Sequence, residues 1–157
     1  MSTSFEETLK REKIRHLSVA PVVRVERDAS LREAMGILRN NRLGCVLVCE
    51  GKQLVGILTE RDLVRKVFGQ QGDLNAPVER FMTPDPKTLP LDASVADAMR
   101  LMDAGGFRSV PVVDEGGRLA GVLAVRHLID YLAEHFPAEV LNLPPRLHQT
   151  MEAPEGA

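Results

Sequence analysis

Long apolar runs are missing from this chain. Its most apolar stretches, Cys45 to Cys49 and Leu119 to Val125, are far shorter than the roughly 20 residues a membrane-spanning helix needs. No membrane span is expected. A secretory signal is missing too, because residues 4 to 17, SFEETLKREKIRHL, interleave charges where a signal has a continuous apolar segment. A cytoplasmic protein is the natural expectation. Cysteine is scarce, and the two present, Cys45 and Cys49, are spaced for neither a disulfide framework nor a metal site. They are read as buried thiols. Charge of one sign is also lacking: 20 basic against 22 acidic residues give a net charge of −2, so no global field favours nucleic acid. Any anion site must be local. Catalytic signatures are absent as well. His16, His127, His135 and His148 are scattered, and no Gly-x-Ser-x-Gly, His-Glu-x-x-His or Walker phosphate-loop pattern occurs, so neither a catalytic residue nor a metal site is expected.

What the chain does have is a duplication. Its 157 residues, 44% hydrophobic and 27% charged, are ordinary globular composition. A shift of 64 positions sets Asp28-Ala29-Ser30-Leu31 on Asp92-Ala93-Ser94-Val95, and Ala34-Met35 on Ala98-Met99. After one extra residue among Glu115-Gly116-Gly117 the shift becomes 65, where Leu54-Val55-Gly56 meets Leu119-Ala120-Gly121 and Arg61 meets Arg126. Two copies of one unit follow each other.

Each copy reads as strand, helix, strand, strand, helix. Short first strands at Val22 to Val25 and Thr88 to Leu89 precede Ser30 with Glu33, and Ser94 with Asp97, which place a hydroxyl three residues before a carboxylate. Helices start there. Leu31, Ala34, Met35 and Leu38, like Val95, Ala98, Met99 and Met102, recur at helical spacing and give each helix one apolar face. Asn40-Asn41 and Gly105-Gly106 suit the left-handed turn that ends a helix. CVLVC with LVGIL, and SVPVV with LAGVL, then form hairpins, closed by helices near Glu60 to Phe68 and Arg126 to His135. The fold class is α+β, with βαββα repeats whose sheets pack together and whose helices lie outside. The expected divisions are a helical segment at 1–16, repeats at 17–69 and 79–135, a linker at 70–78 and a tail at 136–157. Linker and tail, with Leu143-Pro144-Pro145, are rich in Pro, Gly and polar residues and are expected to lack fixed structure.

The duplication, the Met82-Thr83-Pro84-Asp85 entry, the Asp-Ala-Ser helix starts, the Phe107-Arg108-Ser109-Val110-Pro111 strand and the Gly56-Ile57-Leu58-Thr59-Glu60-Arg61-Asp62 turn together resemble the cystathionine β-synthase (CBS) domain over about residues 17 to 134. That resemblance implies a Bateman module. Such pairs commonly bind AMP, ADP, ATP or S-adenosylmethionine between the repeats, associate as homodimers, and regulate other proteins rather than catalyse. The family's Gly-x-x-Thr/Ser-x-x-Asp motif maps onto Gly56, Thr59 and Asp62. By that mapping Asp62 accepts hydrogen bonds from ribose hydroxyls, the Thr59 hydroxyl meets a phosphate beside free helix amides, and the backbone of Cys45, Val46 and Leu47 holds the adenine. Arg61 is a candidate phosphate partner, with a weaker claim for Arg108. From the residues alone, a helix capping box with no ligand is the better explanation of Thr59 and Asp62; the duplication turns the balance towards a ligand.

The second copy has Ala124 where the first has Thr59 and His127 where it has Asp62. One good site is therefore expected. A possible second, degenerate site is assigned to Thr83, Ser109, Val110, Pro111, Arg126 and His127. The leading function is a regulatory nucleotide-binding module that signals to an unidentified partner. The alternative is an adaptor that binds no ligand.

Overall fold

The computed structural model describes residues 4–68 and 72–140. A helix α1 (Phe5–Arg11) and a 3-10 turn at Ile14–His16 precede the first repeat: β1 (Arg24–Glu26), α2 (Leu31–Asn40), β2 (Cys45–Glu50), β3 (Gln53–Thr59) and α3 (Glu60–Asp62), which continues with wider π-helical winding through Leu63–Phe68. A 3-10 turn at Val78–Arg80 and β4 (Thr83–Pro84) lead into the second repeat: β5 (Leu89–Pro90), α4 (Val95–Gly105), β6 (Ser109–Val113), β7 (Leu119–Ala124) and α5 (Val125–His135), with α6 (Pro137–Val140) behind it. The strand, helix, strand, strand, helix order holds in both copies. No helix among the described residues is long and apolar enough to cross a membrane.

β1 runs parallel to β2, β2 and β3 form an antiparallel hairpin, and β4 adds to the far edge in the order β1-β2-β3-β4. The second sheet is β5-β6-β7, again parallel and then antiparallel. Alternation along β2 explains how both faces of the first sheet are buried. Val46 and Val48 point to one side and join a core with Leu31, Ala34 and Leu38 of α2. Cys45 and Leu47 point to the other, where they meet Ile57 and Val122. Since Val122 belongs to β7, this second layer is where the sheets pack on each other. A third cluster, built on Val95, Ala98, Val110, Val112 and Leu128, fills the second repeat.

Both helix starts behave as local chemistry dictates. Ser30 Oγ accepts from Glu33 N and Ser94 Oγ from Asp97 N, each at 3.0 Å. Only Asp97 closes the reciprocal bond, accepting from Ser94 N at 3.0 Å. The helix ends differ from each other. Gly106 takes the left-handed conformation at φ 68°, but Asn41 stays extended at φ −119° and stops its helix through its side chain. Its Nδ2 donates to Ile37 O at 3.0 Å and its Oδ1 accepts from Leu43 N at 2.8 Å.

The segments between repeats are exchanged. Ala76 O accepts from Leu31 N at 2.8 Å, and Glu12 O accepts from Val95 N at 2.9 Å, so each caps the helix of the repeat it does not directly precede in the chain. Val78 N donates to Ala29 O and Ile14 N to Ala93 O, the same bond once more at a spacing of 64. The expectation of an unstructured linker is thus corrected for residues 72–78. Orphan amides in the first turn of α2 need acceptors, and the burial of Ala76, Val78 and Phe81 in the first core offsets the cost of ordering the segment. The tail expectation is corrected only over Pro137–Val140, which is helical; Leu143-Pro144-Pro145 lies outside the described residues. By the same exchange, Leu9 and Ile14 are buried in the second core, Tyr131 Oη donates to Glu12 Oε1 at 3.0 Å, and Arg15 pairs with Asp92 at 2.6 Å.

Candidate functional site

The end of β3 fixes the main polar cluster. Thr59 caps α3: its Oγ1 accepts from Asp62 N at 3.1 Å, while Asp62 Oδ2 accepts from Thr59 N at 2.9 Å and from Thr59 Oγ1 at 3.0 Å. The capping box is complete. Asp62 is nevertheless more than a cap, because its Oδ1 also accepts from Thr83 Oγ1 at 2.8 Å and lies 3.2 Å from Lys66 Nζ. The residue is 5% exposed. Lys66, one turn further on, also donates to Met82 O at 3.1 Å, so the start of α3 is tied to β4.

Around this cluster opens a cleft of about 600 Å³ that draws its lining from both repeats. The first contributes Asn41, Leu43, Gly44, Cys45, Ile57, Thr59 and Asp62; the second contributes Phe107, Arg108, Ser109, Val110 and Pro111, with Thr83, Asp85, Pro86 and Lys87 from the connection. Ser109 Oγ donates to Leu43 O at 3.1 Å and ties the two walls together. Five cationic side chains line the cleft, Arg42, Arg61, Arg65, Lys87 and Arg108, against three carboxylates, Glu60, Asp62 and Asp85. None of the five cations has an ion pair among the described residues. One of the three carboxylates, Asp62, is already neutralised by Lys66. The surplus positive charge faces open space, which favours an anion.

The residues singled out from the sequence divide in an unforeseen way. Thr59, Arg61, Asp62 and Cys45 line the cleft, and so do Thr83, Ser109, Val110 and Pro111, which the sequence reading had assigned to a possible second site. One cleft takes them all because it lies between the copies. Val46 and Leu47 are fully buried in the layers on either side of the sheet and are not in the cleft lining. Gly56 is buried behind it, where a Cβ would collide with the Met82 side chain. Arg42, Arg65 and Lys87 went unremarked in the sequence, because no local motif marks them. Their common place emerges only when α2, α3 and the β4–β5 connection are brought together.

Repeat symmetry explains the fate of the matching position. Ala20 pairs with Val122 as Thr83 pairs with Ile57, and Val19-Ala20-Pro21 stands where the other copy has Met82-Thr83-Pro84. At Gly121 a Cβ would lie 2.6 Å from Val19 Cγ2 and 2.8 Å from Ala20 O, so this glycine permits the same close crossing. Thr83, Thr59 and Asp62 are thus replaced by Ala20, Ala124 and His127. His127 is not a free surface histidine. Its Nδ1 accepts from Ala124 N at 2.8 Å, so it takes over the capping bond of the carboxylate. Arg126 is exposed on the same turn; neither residue is in the lining of the cleft.

Burial first, and then the neighbouring Arg126 charge, lower the His127 pKa from its ordinary 6.5, with Asp130 opposing. Below about pH 6.5 the unfolded chain therefore binds a proton that the folded chain resists, and stability falls with pH until the lowered folded-state value is passed. A melting series from pH 7.5 downward should show that loss, and His127→Gln should flatten it. An unaltered slope in the variant would contradict this role. Burial also raises the Cys45 pKa to about 11, with Ser109 opposing, and raises that of Cys49. Both thiols are protonated at neutral pH and are poor nucleophiles.

Comparison with known proteins agrees with this architecture. The family model for the CBS domain matches residues 8–69 and 78–134, which is most of the chain. This chain belongs to the CBS-domain family. An uncharacterised 17.7 kDa protein of Acidianus ambivalens is 32% identical over 117 residues, 74% of this chain and 70% of that one. Other curated relatives are longer: the chain spans 33% of an uncharacterised protein of Methanocaldococcus jannaschii and 20% of a CBS domain-containing protein of Arabidopsis thaliana. Among solved structures, a CBS-domain protein from Agrobacterium tumefaciens is 34% identical with a TM-score of 0.68, covering 76% of this chain and 97% of that one. A CBS-domain protein from Pyrobaculum aerophilum, complexed with AMP, is 28% identical with a TM-score of 0.69, covering 83% and 95%.

Proposed function

We propose that the cleft binds an adenine nucleotide of the AMP, ADP or ATP class, and that the bound state changes how the repeats sit against each other, so signalling to a partner protein. The observation that carries this reading is the cleft itself: five cations with no ion pair among the described residues, around a space of about 600 Å³ whose lining includes the buried Asp62. The volume lies within the range of small-ligand sites. Ile57, Val110 and Pro111 offer apolar surface for a base, Thr59 and Asp62 face a ribose and phosphate, and the Arg and Lys side chains meet the phosphate charge. The AMP complex of the Pyrobaculum aerophilum relative lends support. S-adenosylmethionine, which brings a sulfonium cation, suits the surplus positive charge less well. The two buried thiols offer no nucleophile, and the reading assigns no catalytic residue. A homodimer and a cytoplasmic location belong to the same reading; Val64 on the π-helical segment and Ile129 on α5 are apolar groups left 64% and 54% exposed, where a second chain could cover them.

A thermal-shift panel of AMP, ADP, ATP and S-adenosylmethionine tests the binding. A ligand held only by the folded state at a hundred times its Kd stabilises by about 2.7 kcal/mol, a shift of several degrees in a domain of this size. No shift with any nucleotide would favour the ligand-free adaptor.

A further inference from the structure

Asp62 is the polar group on which the nucleotide reading depends, and its carboxylate is already saturated by the protein's own donors. Oδ2 takes Thr59 N and Thr59 Oγ1 at 2.9 and 3.0 Å; Oδ1 takes Thr83 Oγ1 and Lys66 Nζ at 2.8 and 3.2 Å. A carboxylate offers about four lone-pair sites, and four donors are present. The Thr59 contacts are internal to the helix cap and cannot be given up without opening α3. The other two can. Lys66 has a second acceptor in Met82 O at 3.1 Å, and Thr83 lies on an exposed two-residue edge strand held by only two register partners, Gly56↔Pro84 and Ile57↔Thr83.

We infer that Thr83 and Lys66 are internal competitors of the ligand, occupying on Asp62 Oδ1 the place of a ligand's hydroxyl groups, so that a nucleotide enters by displacing them. This rests on the nucleotide reading and adds to it an exchange of donors at Asp62. The two ribose hydroxyls of the nucleotide reading return to the carboxylate the two donors they remove. Displacement also has a mechanical consequence. Thr83 leads through Asp85, which holds φ 50° although it is not glycine, to Lys87 and the second repeat, so releasing Thr83 loosens the connection between the repeats at the moment of binding.

The discriminating variant is Thr83→Val, which keeps the shape and removes the hydroxyl. Titration calorimetry with ATP and with 2′-deoxy-ATP, on the wild-type chain, Thr83→Val and Thr83→Ser, separates the possibilities. The wild type should prefer ATP over the deoxy compound by about tenfold or more. Thr83→Val should bind ATP about three- to tenfold tighter than wild type, while its ligand-free form melts at a lower temperature; Thr83→Ser, with the hydroxyl restored, should return towards wild type on both counts. Weaker binding in Thr83→Val would show that the hydroxyl contacts the ligand instead, and unchanged affinity would show that it competes with nothing; either overturns the displacement. Equal affinity of the wild type for the two nucleotides would show that the ribose hydroxyls do not take the vacated place on Asp62, and would overturn the exchange. A wild-type chain that binds neither compound would bring down the nucleotide reading itself, which the variants' behaviour alone cannot do.

Discussion

Replacing Asp62 by Ala is expected to lower nucleotide affinity about a hundredfold or more and to destabilise the free protein by about 2–4 kcal/mol. The binding term follows from leaving both ribose hydroxyls desolvated without an acceptor, a penalty of about 1–3 kcal/mol for each unsatisfied group. The stability term is larger than a simple helix cap would give, since the loss of a cap alone is about 1 kcal/mol. Asp62 is 5% exposed, and its removal strands the Thr59 amide and deprives Lys66 and Thr83 of their common acceptor. Lys66 limits the damage, because its side chain is 32% exposed and can turn to water. Asp62→Asn, which keeps an acceptor for the Thr59 amide, should cost less stability and still lose most of the binding. Calorimetry reads the first effect and denaturant midpoints the second. Undiminished affinity in Asp62→Ala would show that the ligand is elsewhere.

A fragment of residues 1–70 is expected not to fold as a monomer, although it contains an entire sequence repeat. Three of the ten buried residues of the first core, Ala76, Val78 and Phe81, lie beyond its end, as do β4 and the carbonyls of Leu74 and Ala76 that receive the amides of Arg32 and Leu31. Conversely α1, which the fragment retains, buries Leu9 against the second repeat and has no partner without it. Truncating a single large core side chain to alanine costs about 2–5 kcal/mol, so losing Val78 and Phe81 together with β4 and the two helix-capping carbonyls removes a large part of the typical 5–15 kcal/mol of a domain. Removing Val122 further exposes the layer between the sheets. Circular dichroism with size-exclusion chromatography should show an unfolded or self-associated chain. A fragment running from 18 to 88 keeps the exchanged segment and should retain more structure than 1–70. A well-folded monomer of 1–70 would contradict the exchange.

What could be read from the sequence was what local chemistry governs. Ser30 and Ser94 announced their helices because a hydroxyl three residues before a carboxylate satisfies the same first-turn amides wherever it occurs. The hairpins and the apolar stripes followed from periods of two and 3.6. Asn41 was misjudged for a reason of the same kind: its side chain supplies the bonds that a left-handed backbone would otherwise have supplied. The exchange of flanking segments was invisible because a repeat register tells which residues correspond, not which copy a connecting segment packs on. The signal was nonetheless present in Val19-Ala20-Pro21 against Met82-Thr83-Pro84, matched at a spacing of 63. For the same reason Thr83 and Ser109 to Pro111 were separated from Thr59 and Asp62, although the cleft joins them. Val46 and Leu47 are assigned to the adenine by the family resemblance through their backbone groups alone, and the alternation of β2 leaves their side chains free to pack into the layers on either side of the sheet.

On the proposed reading one cleft, built from both repeats, holds one nucleotide, while the matching position has Ala20, Ala124 and His127 in place of its hydroxyls and carboxylate. Titration of the wild-type chain with ATP, followed calorimetrically at a protein concentration well above Kd, measures this directly through the stoichiometry. The expected result is one nucleotide per chain, with the binding weakened by added salt because the five cations meet phosphate charge. Two nucleotides per chain would contradict the loss of the matching site, and no measurable heat together with no thermal shift would contradict the claim altogether.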